Sequence, residues 1–208
     1  MGATMSFIQS IVLGIIQGVG EFLPISSSGH LVIVPWLMGW ADHGLTFDVA
    51  LHAGTLVALL VYFRHEWIEL TKAFFTIRPR HFKTINSLQT DYKAKLSLYI
   101  VFATIPGALM GLMLEKKAES AFREPGQIAT ILGIMGIVLW YADTRGKKSR
   151  TLQQMSLAQA LLIGVAQGIA VIPGISRAGI TITAALAQGF DRKDAARFSF
   201  LMSMPIIF

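Results

Sequence analysis

Hydrophobic residues are arranged along this chain in long runs that charged residues rarely interrupt. The runs over residues 96–114 and 125–142 contain no Asp, Glu, Lys or Arg. The run over residues 43–63 contains only Asp48. A helix needs about 20 mostly apolar residues to cross a bilayer. Each of these three runs therefore predicts a membrane-spanning helix.

Two further runs, at residues 1–41 and 151–190, are each divided by a short polar break that contains proline and glycine. The first break is FLPISSSGH at residues 22–30, and the second is PGIS at residues 173–176. Proline disfavours helix in the residue before it, and serine is a good helix N-cap. We therefore expect two re-entrant hairpins built from broken helices. Non-helical backbone at membrane depth needs protein or water as its partner, so both breaks point to a functional site.

The predicted hairpins are separated by three full spans. Because three is odd, the hairpins should enter from opposite faces of the membrane. The loops at residues 64–95, 143–150 and 191–197 then share one side and hold most of the 18 lysines and arginines. The positive-inside rule assigns that side to the cytoplasm. Orientation thus accounts for the net charge of +6, and we expect no nucleic acid partner.

Composition supports a membrane protein. Of the 208 residues, 53% are hydrophobic and 14% are charged, against about 25% charged in a soluble domain. We therefore predict an all-α polytopic membrane protein with a single integral membrane domain. Its apolar run at residues 198–208 stops after eleven residues, so we expect a chain that is cut short. Because the chain has no cysteine, disulfides, thiolate metal sites and cysteine nucleophiles are excluded.

An internal repeat relates the two broken runs at a constant offset of 150 residues. It predicts inverted copies at about residues 6–114 and 125–208, the second copy incomplete. Inverted repeats with discontinuous helices place a binding site near the middle of the membrane. The first copy matches the second at six positions, Gly14, Gln17, Gly18, Ile25, Ser26 and Gly29.

The two copies differ where chemistry would occur. The first carries Glu21, Ser27 and His30, and the second carries Arg177. Ser27 and His30 are three residues apart, a spacing that lets an imidazole base activate a hydroxyl nucleophile. Arg177 would lie in the first turn of a helix, where the macrodipole disfavours a cation, so a bound anion would relieve the conflict. These four residues are the predicted catalytic set.

Five more polar residues are predicted to bind phosphate or to orient the catalytic set: Gln17, Ser26, Ser28, Ser176 and Thr181. Each also has a purely structural interpretation. Gln17 could join two helices, the serines could serve only as caps, and Thr181 could bond back to its own helix. For His52, four residues after Asp48, a core histidine is favoured over a proton relay.

The segments QGVGEFLPISSSGH at residues 17–30 and PGISR at residues 173–177 resemble the motifs of the BacA/UppP undecaprenyl pyrophosphate phosphatases. The resemblance implies an inner-membrane enzyme that removes the terminal phosphate of undecaprenyl pyrophosphate and recycles the lipid carrier of bacterial wall synthesis. Its active site would open to the outer face. It also implies inverted repeats with re-entrant helices, a chain that is often dimeric, and frequent assay with a divalent cation. Ala178 departs from the family, which commonly has serine there.

Two mechanisms remain open from the sequence. In one, Ser27 attacks phosphorus and His30 takes its proton, while Glu21 orients His30 or helps to hold a divalent ion, Mg²⁺ or Ca²⁺. In the other, a metal-activated water attacks under the guidance of Glu21. The rival function is a transporter or lipid flippase on the same scaffold. No GxxxxGK[ST], GxGxxG or HExxH pattern is present, so no nucleotide or organic cofactor is expected.

Overall fold

The computed structural model describes residues 5–41, 43–77, 92–122 and 124–207. Those residues form nine α-helices and no β-strand, which confirms the predicted all-α class. The helices are α1 Phe7–Phe22, α2 Ser27–Met38, α3 Leu45–Tyr62, α4 Arg64–Phe75, α5 Tyr92–Ala121, α6 Pro125–Arg145, α7 Leu157–Ile169, α8 Arg177–Ala187 and α9 Arg192–Ile207.

Two of the three predicted spans correspond to single helices that are long enough to cross a membrane. In α5 the stretch Tyr92–Leu114 is long and apolar enough to cross a membrane, as is α6 over its whole length. A third span forms if α3 and α4 are counted together, although the pair bends by 76° at Phe63. Only 11% of the apolar window of α6 is buried, against 39% for α5. Most of the apolar surface of α6 is therefore available to lipid, while α5 buries a larger share of its own surface against other helices.

Both predicted breaks are present. Residues 23–26 separate α1 from α2, and residues 170–176 separate α7 from α8. None of these four helices is longer than 16 residues, so none is long enough to cross hydrocarbon alone. Ser26 and Ser176 are the N-caps of α2 and α8, as their position after the prolines predicts.

The internal repeat extends to helix boundaries and caps. The first residues of α7 and α8 follow those of α1 and α2 by the same 150 positions that relate the motifs. Ser6 caps α1 in a capping box with Gln9, and Ser156 caps α7 in a capping box with Gln159. The two copies therefore share local folding signals as well as identical residues.

Close backbone packing joins α7 to α5. A Cβ added to Gly164 would lie 2.1 Å from the carbonyl oxygen of Ala103, so no side chain fits there. Small residues of this kind let membrane helices approach closely. The buried core around this contact includes Tyr99, Phe190 and Phe198. Because α2 and α8 both pack on α6, the two breaks are brought to the same place.

The basic loops contact one another through ion pairs. Arg197 of α9 donates to Glu66 of α4 from Nε at 2.8 Å and from an NH2 group at 2.5 Å. Arg192 of α9 binds Asp143 at 2.6 Å. The described parts of the three loops assigned to one membrane side therefore lie together. Residues 78–91 of the first loop, Arg123, and the side chains of residues 115–120 lie outside the described part of the chain.

Candidate active site

The two helix breaks meet at a cavity of about 160 Å³. Residues of both repeat copies line it, and His52 of α3 completes the lining. Segments about 150 residues apart in sequence therefore share one pocket. Six of the predicted site residues line it: Glu21, Ser26, Ser27, Ser28, Ser176 and Arg177.

Glu21 and Arg177 form an ion pair at the centre of this cavity. An NH2 group of the Arg177 guanidinium donates to Oε1 of Glu21. The two side chains are 8% and 18% exposed, so both charges are largely removed from solvent. Pairing offsets part of the cost of placing either charge at membrane depth. The anion that the position of Arg177 predicted is supplied, in this structure, by Glu21 of the other repeat copy.

The second oxygen of Glu21 accepts hydrogen bonds from two further side chains. Ser27, the first residue of α2, donates from Oγ to Oε2 of Glu21 at 2.7 Å. Gln17, one turn earlier in α1, donates to the same oxygen from Nε2 at 3.2 Å. Gln17 thus contacts Glu21 within α1, and its role in orienting the carboxylate stays a prediction. A hydroxyl that donates to a carboxylate is already placed to transfer its proton there.

His30 is not brought to the Ser27 hydroxyl. Its Nδ1 lies 2.8 Å from the carbonyl oxygen of Ser26, and it is absent from the residues that line the cavity. A carbonyl can only accept, so Nδ1 carries the proton of the neutral ring. The i, i+3 spacing of Ser27 and His30 therefore does not produce the predicted hydrogen bond. A catalytic role for His30 stays a prediction.

The three serines that are predicted to bind phosphate lie at two helix N-termini beside the cavity. Ser26 has φ +65°, in the left-handed region that residues other than glycine rarely adopt. Its Oγ accepts from the amide of Gly29 at 3.4 Å and lies 3.4 Å from Oγ of Ser28. Ser176 accepts from the amide of Gly179 at 3.0 Å. Helix N-termini attract anions, so the arrangement favours a phosphate group.

Thr181 does not line the cavity. Its Oγ1 donates to the carbonyl oxygen of Arg177 at 2.8 Å and lies 2.7 Å from Oγ of Ser199. The alternative interpretation of Thr181, a threonine bonded back to its own helix, describes these contacts. Thr181 lies one turn after Arg177 in α8 and contacts α9 through Ser199.

His52 is the cavity residue that sequence reasoning undervalued. Its Nε2 lies 3.8 Å from Oε2 of Glu21, and its side chain is 32% exposed. From the sequence, a core histidine is favoured for His52, which lies in the apolar span at residues 43–63. The available signal was its ionisable character within that span, together with nearby Asp48.

The residues present do not fit a resident metal ion. Among the described residues, no group of three or more His, Cys, Asp or Glu side chains could hold one. Glu21, the predicted ligand, gives Oε1 to Arg177 and Oε2 to Ser27 and Gln17. A guanidinium beside the carboxylate also repels a divalent cation.

Comparison with known proteins gives consistent matches along nearly the whole chain. The family model of the bacitracin resistance protein BacA matches residues 10–208. The undecaprenyl-diphosphatase of Moorella thermoacetica is 50% identical over 203 residues, which cover 98% of this chain and 74% of that protein. That of Pelotomaculum thermopropionicum is also 50% identical, covering 98% and 73%. Undecaprenyl-diphosphatase 1 of Pseudoalteromonas translucida is 46% identical, covering 98% and 74%.

Proposed function

Because this chain belongs to the BacA family of bacitracin resistance proteins, we propose that it is a membrane phosphatase that hydrolyses undecaprenyl pyrophosphate. The products are undecaprenyl phosphate and inorganic phosphate, which recycles the lipid carrier. Relatives named undecaprenyl-diphosphatase at 46–50% identity support this activity. The observation that carries the proposal is the contact of Ser27 and Arg177, from different repeat copies, with one carboxylate, Glu21.

Substrate binding begins with the terminal phosphate of the pyrophosphate. It enters between the N-termini of α2 and α8, where backbone amides and the Arg177 guanidinium attract negative charge. The serines 26, 28 and 176 supply hydroxyls at the same place. The phosphate then shares Arg177 with Glu21, which places the terminal phosphorus beside the Ser27 hydroxyl.

The chemical step uses Ser27 as nucleophile and Glu21 as base. Ser27 Oγ bonds to the terminal phosphorus as the bond from phosphorus to the bridging oxygen breaks. The serine proton passes to Oε2 of Glu21, and undecaprenyl phosphate leaves as an anion that needs no proton. Water then attacks the phosphoserine and restores Ser27 with release of phosphate. Arg177 stabilises the charge that develops on the phosphoryl oxygens.

His30 contributes to this step through Ser26. Its Nδ1–H holds the carbonyl oxygen of Ser26, the N-cap residue with the left-handed backbone. The bond fixes the start of α2 and hence the position of the nucleophile Ser27. Glu21, which already accepts the serine hydrogen bond, replaces His30 as the base in this scheme.

An apolar groove of about 610 Å³ supports a lipid substrate. Aromatic and aliphatic side chains of α1, α3 and α9 line most of it, and one of them, Phe22, follows the cavity residue Glu21 in sequence. An amphiphile could therefore place its diphosphate in the cavity and the first part of its prenyl chain in the groove. Ala58 of α3 lies in the groove wall.

The chain is a multi-pass membrane protein, and we place it in the bacterial inner membrane with the cavity open to the outer face. The clustering of the basic loops, whose charge assigns them to the cytoplasm by the positive-inside rule, supports this orientation. We further propose that a divalent cation, Mg²⁺ or Ca²⁺, is brought by the pyrophosphate oxygens rather than held by side chains. We also propose that the chain forms a homodimer, as the family resemblance implies.

Phosphate release in detergent tests the function and separates it from transport. The purified chain is given undecaprenyl pyrophosphate, and released phosphate is measured for wild type, Arg177→Ala and the control Arg192→Ala. Detergent micelles enclose no compartment, so a transporter without hydrolase activity would release nothing. We expect Arg177→Ala to reduce kcat/KM by about 10²- to 10³-fold and Arg192→Ala to match wild type. Equal rates for wild type and Arg177→Ala would refute the proposed site.

A further inference from the structure

His52 stands in the middle of α3, a helix with an apolar face toward lipid, and yet lines the polar cavity. An ionisable side chain at membrane depth is costly and usually has a functional partner. In the described part of the chain, a carboxylate that lies within 4 Å of His52 is that of Glu21, which belongs to another helix. This contact with a carboxylate of the cavity indicates a functional role for His52 rather than the role of a core histidine.

The two ring nitrogens of His52 contact different groups. Nδ1 lies 2.8 Å from the carbonyl oxygen of Asp48, one turn earlier, and must carry a proton to bond there. In the neutral ring, Nε2 therefore presents a lone pair. This nitrogen lies 3.8 Å from Oε2 of Glu21, the same oxygen that accepts the hydroxyl hydrogen of Ser27. Catalytic hydrogen bonds are often long before substrate binds and shorten in the complex.

We propose that His52 is a positioning residue for hydrolysis that acts through Glu21, by accepting at Nε2 the proton that Glu21 takes from Ser27. The inference rests on the proposed function. When Ser27 Oγ bonds to phosphorus, its proton moves to Oε2 of Glu21 and then to Nε2 of His52. Glu21 is thereby restored as an anion, beside Arg177, before water attacks the phosphoserine. The first proton leaves His52 for solvent. In the second step the proton that water gives to Oε2 of Glu21 passes to Ser27 Oγ as its bond to phosphorus breaks, which restores the serine hydroxyl.

Among the described residues, the charged groups around His52 leave Glu21 as its partner. On its own helix the Asp48 carboxylate is occupied by Nε2 of His43 at 2.7 Å. From α8, Arg177 reaches the far oxygen of Glu21.

From α9, which also packs on α3, Lys193 and Arg197 lie in the groove beside Tyr62, toward the other end of the helix. Arg197 is bound there to Glu66. The proton route from Ser27 therefore leads to His52 through one carboxylate oxygen.

Two substitutions divide the functions of the ring. His52→Asn keeps a donor for the Asp48 carbonyl and deletes the nitrogen that faces Glu21. His52→Gln places a neutral amide near the Nε2 position and likewise cannot accept a proton. His65→Gln, at an exposed histidine of α4, is the matched control. Each protein is purified in detergent, and kcat and KM are measured with undecaprenyl pyrophosphate from pH 8 to pH 5.

We expect His52→Asn to lower kcat by about 10- to 100-fold at pH 8 with KM within about threefold of wild type. The ratio of wild-type to variant kcat should then decrease as the pH is lowered, because an imidazole that already carries two protons cannot accept another. This ratio cancels the titration of substrate and of groups common to both proteins. His65→Gln should follow wild type throughout.

A wild-type kcat in His52→Asn at every pH would overturn the inference. A kcat ratio that stays constant from pH 8 to pH 5 would do so as well, because a merely structural defect does not depend on proton acceptance. Should the Asn protein fail to fold, the Gln protein decides by the same ratio. If wild type and His65→Gln release no phosphate, the proposed function fails, and the role of His52 with it.

Discussion

Replacing Glu21 by glutamine should separate the catalytic role of its carboxylate from its role in an ion pair. The substitution keeps the shape of the side chain but removes its charge and its ability to take a proton. In the structure that carboxylate pairs with Arg177 and accepts from Ser27 and Gln17. Glu66, which pairs with Arg197 away from the cavity, provides a matched control through Glu66→Gln.

The expected magnitudes differ between the two variants. Loss of a general base lowers kcat by about 10²- to 10⁴-fold, which is about 2.7 to 5.5 kcal/mol of transition-state stabilisation. Glu21→Gln also leaves Arg177, only 18% exposed, without its anion. Breaking a buried pair in this way costs about 3 to 5 kcal/mol of stability. The pair of Glu66 and Arg197 is 22% and 36% exposed, so its loss should cost about 1 kcal/mol.

Phosphate release and thermal unfolding in detergent measure the two effects on the same protein samples. We expect Glu21→Gln to be almost inactive and to unfold at lower temperature, while Glu66→Gln keeps wild-type kcat with a small decrease in unfolding temperature. A folded Glu21→Gln protein with kcat within about threefold of wild type would refute the assignment of Glu21 as base. Equal loss of activity in both variants would show that ion pairing, rather than the cavity, controls the rate.

Three further predictions test the packing, the caps and the groove. Gly20→Ala should abolish activity, because the added Cβ would lie 2.9 Å from Cα of Ser27. Gly18→Ala should keep wild-type kcat, because no atom lies within 4 Å of the added Cβ. Equal kcat values for the two variants would contradict the close packing of Gly20 on Ser27. His30→Asn can still donate to the carbonyl oxygen of Ser26, the N-cap residue of α2, so it should keep kcat within about tenfold of wild type. His30→Ala should lower kcat by about 10²-fold or more. Equal losses of kcat in the two variants would favour a role for His30 as the base. Ala58→Trp fills the groove and should raise KM for a long prenyl pyrophosphate more than for a short one, a difference that parallel kinetics with both substrates would reveal.

The breaks, the repeat and the meeting of its two copies could be predicted from sequence because each has a strong local signal. Proline and serine at residues 24–27 mark the end of α1 and the start of α2. Proline and serine also precede the start of α8, at residues 173–176. Charge supplied the remaining signal, since Arg177 at a helix N-terminus requires an anion nearby. The sequence could not identify that anion as Glu21.

Partners across helices could not be predicted, because helical spacing describes only one helix at a time. The spacing of Ser27 and His30 favoured a bond within α2, but Ser27 is the first residue of that helix and lies against the end of α1. Gly20 permits this approach, which brings the hydroxyl to Glu21 instead. His52 was undervalued for the same reason, since its contact with Glu21 depends on how α3 packs against α1. The 76° bend between α3 and α4 was likewise not indicated by hydropathy.

A double-mutant cycle on kcat/KM tests most directly whether the two repeat copies form one hydrolytic site. Ser27→Ala and Arg177→Ala are made singly and together, and phosphate release from undecaprenyl pyrophosphate is measured for all three and for wild type. Residues that act together in one site give strongly non-additive losses. We expect the double variant to be no more than about threefold slower than the slower single variant. Losses that multiply would mean that Ser27 and Arg177 act independently, which would contradict the shared site.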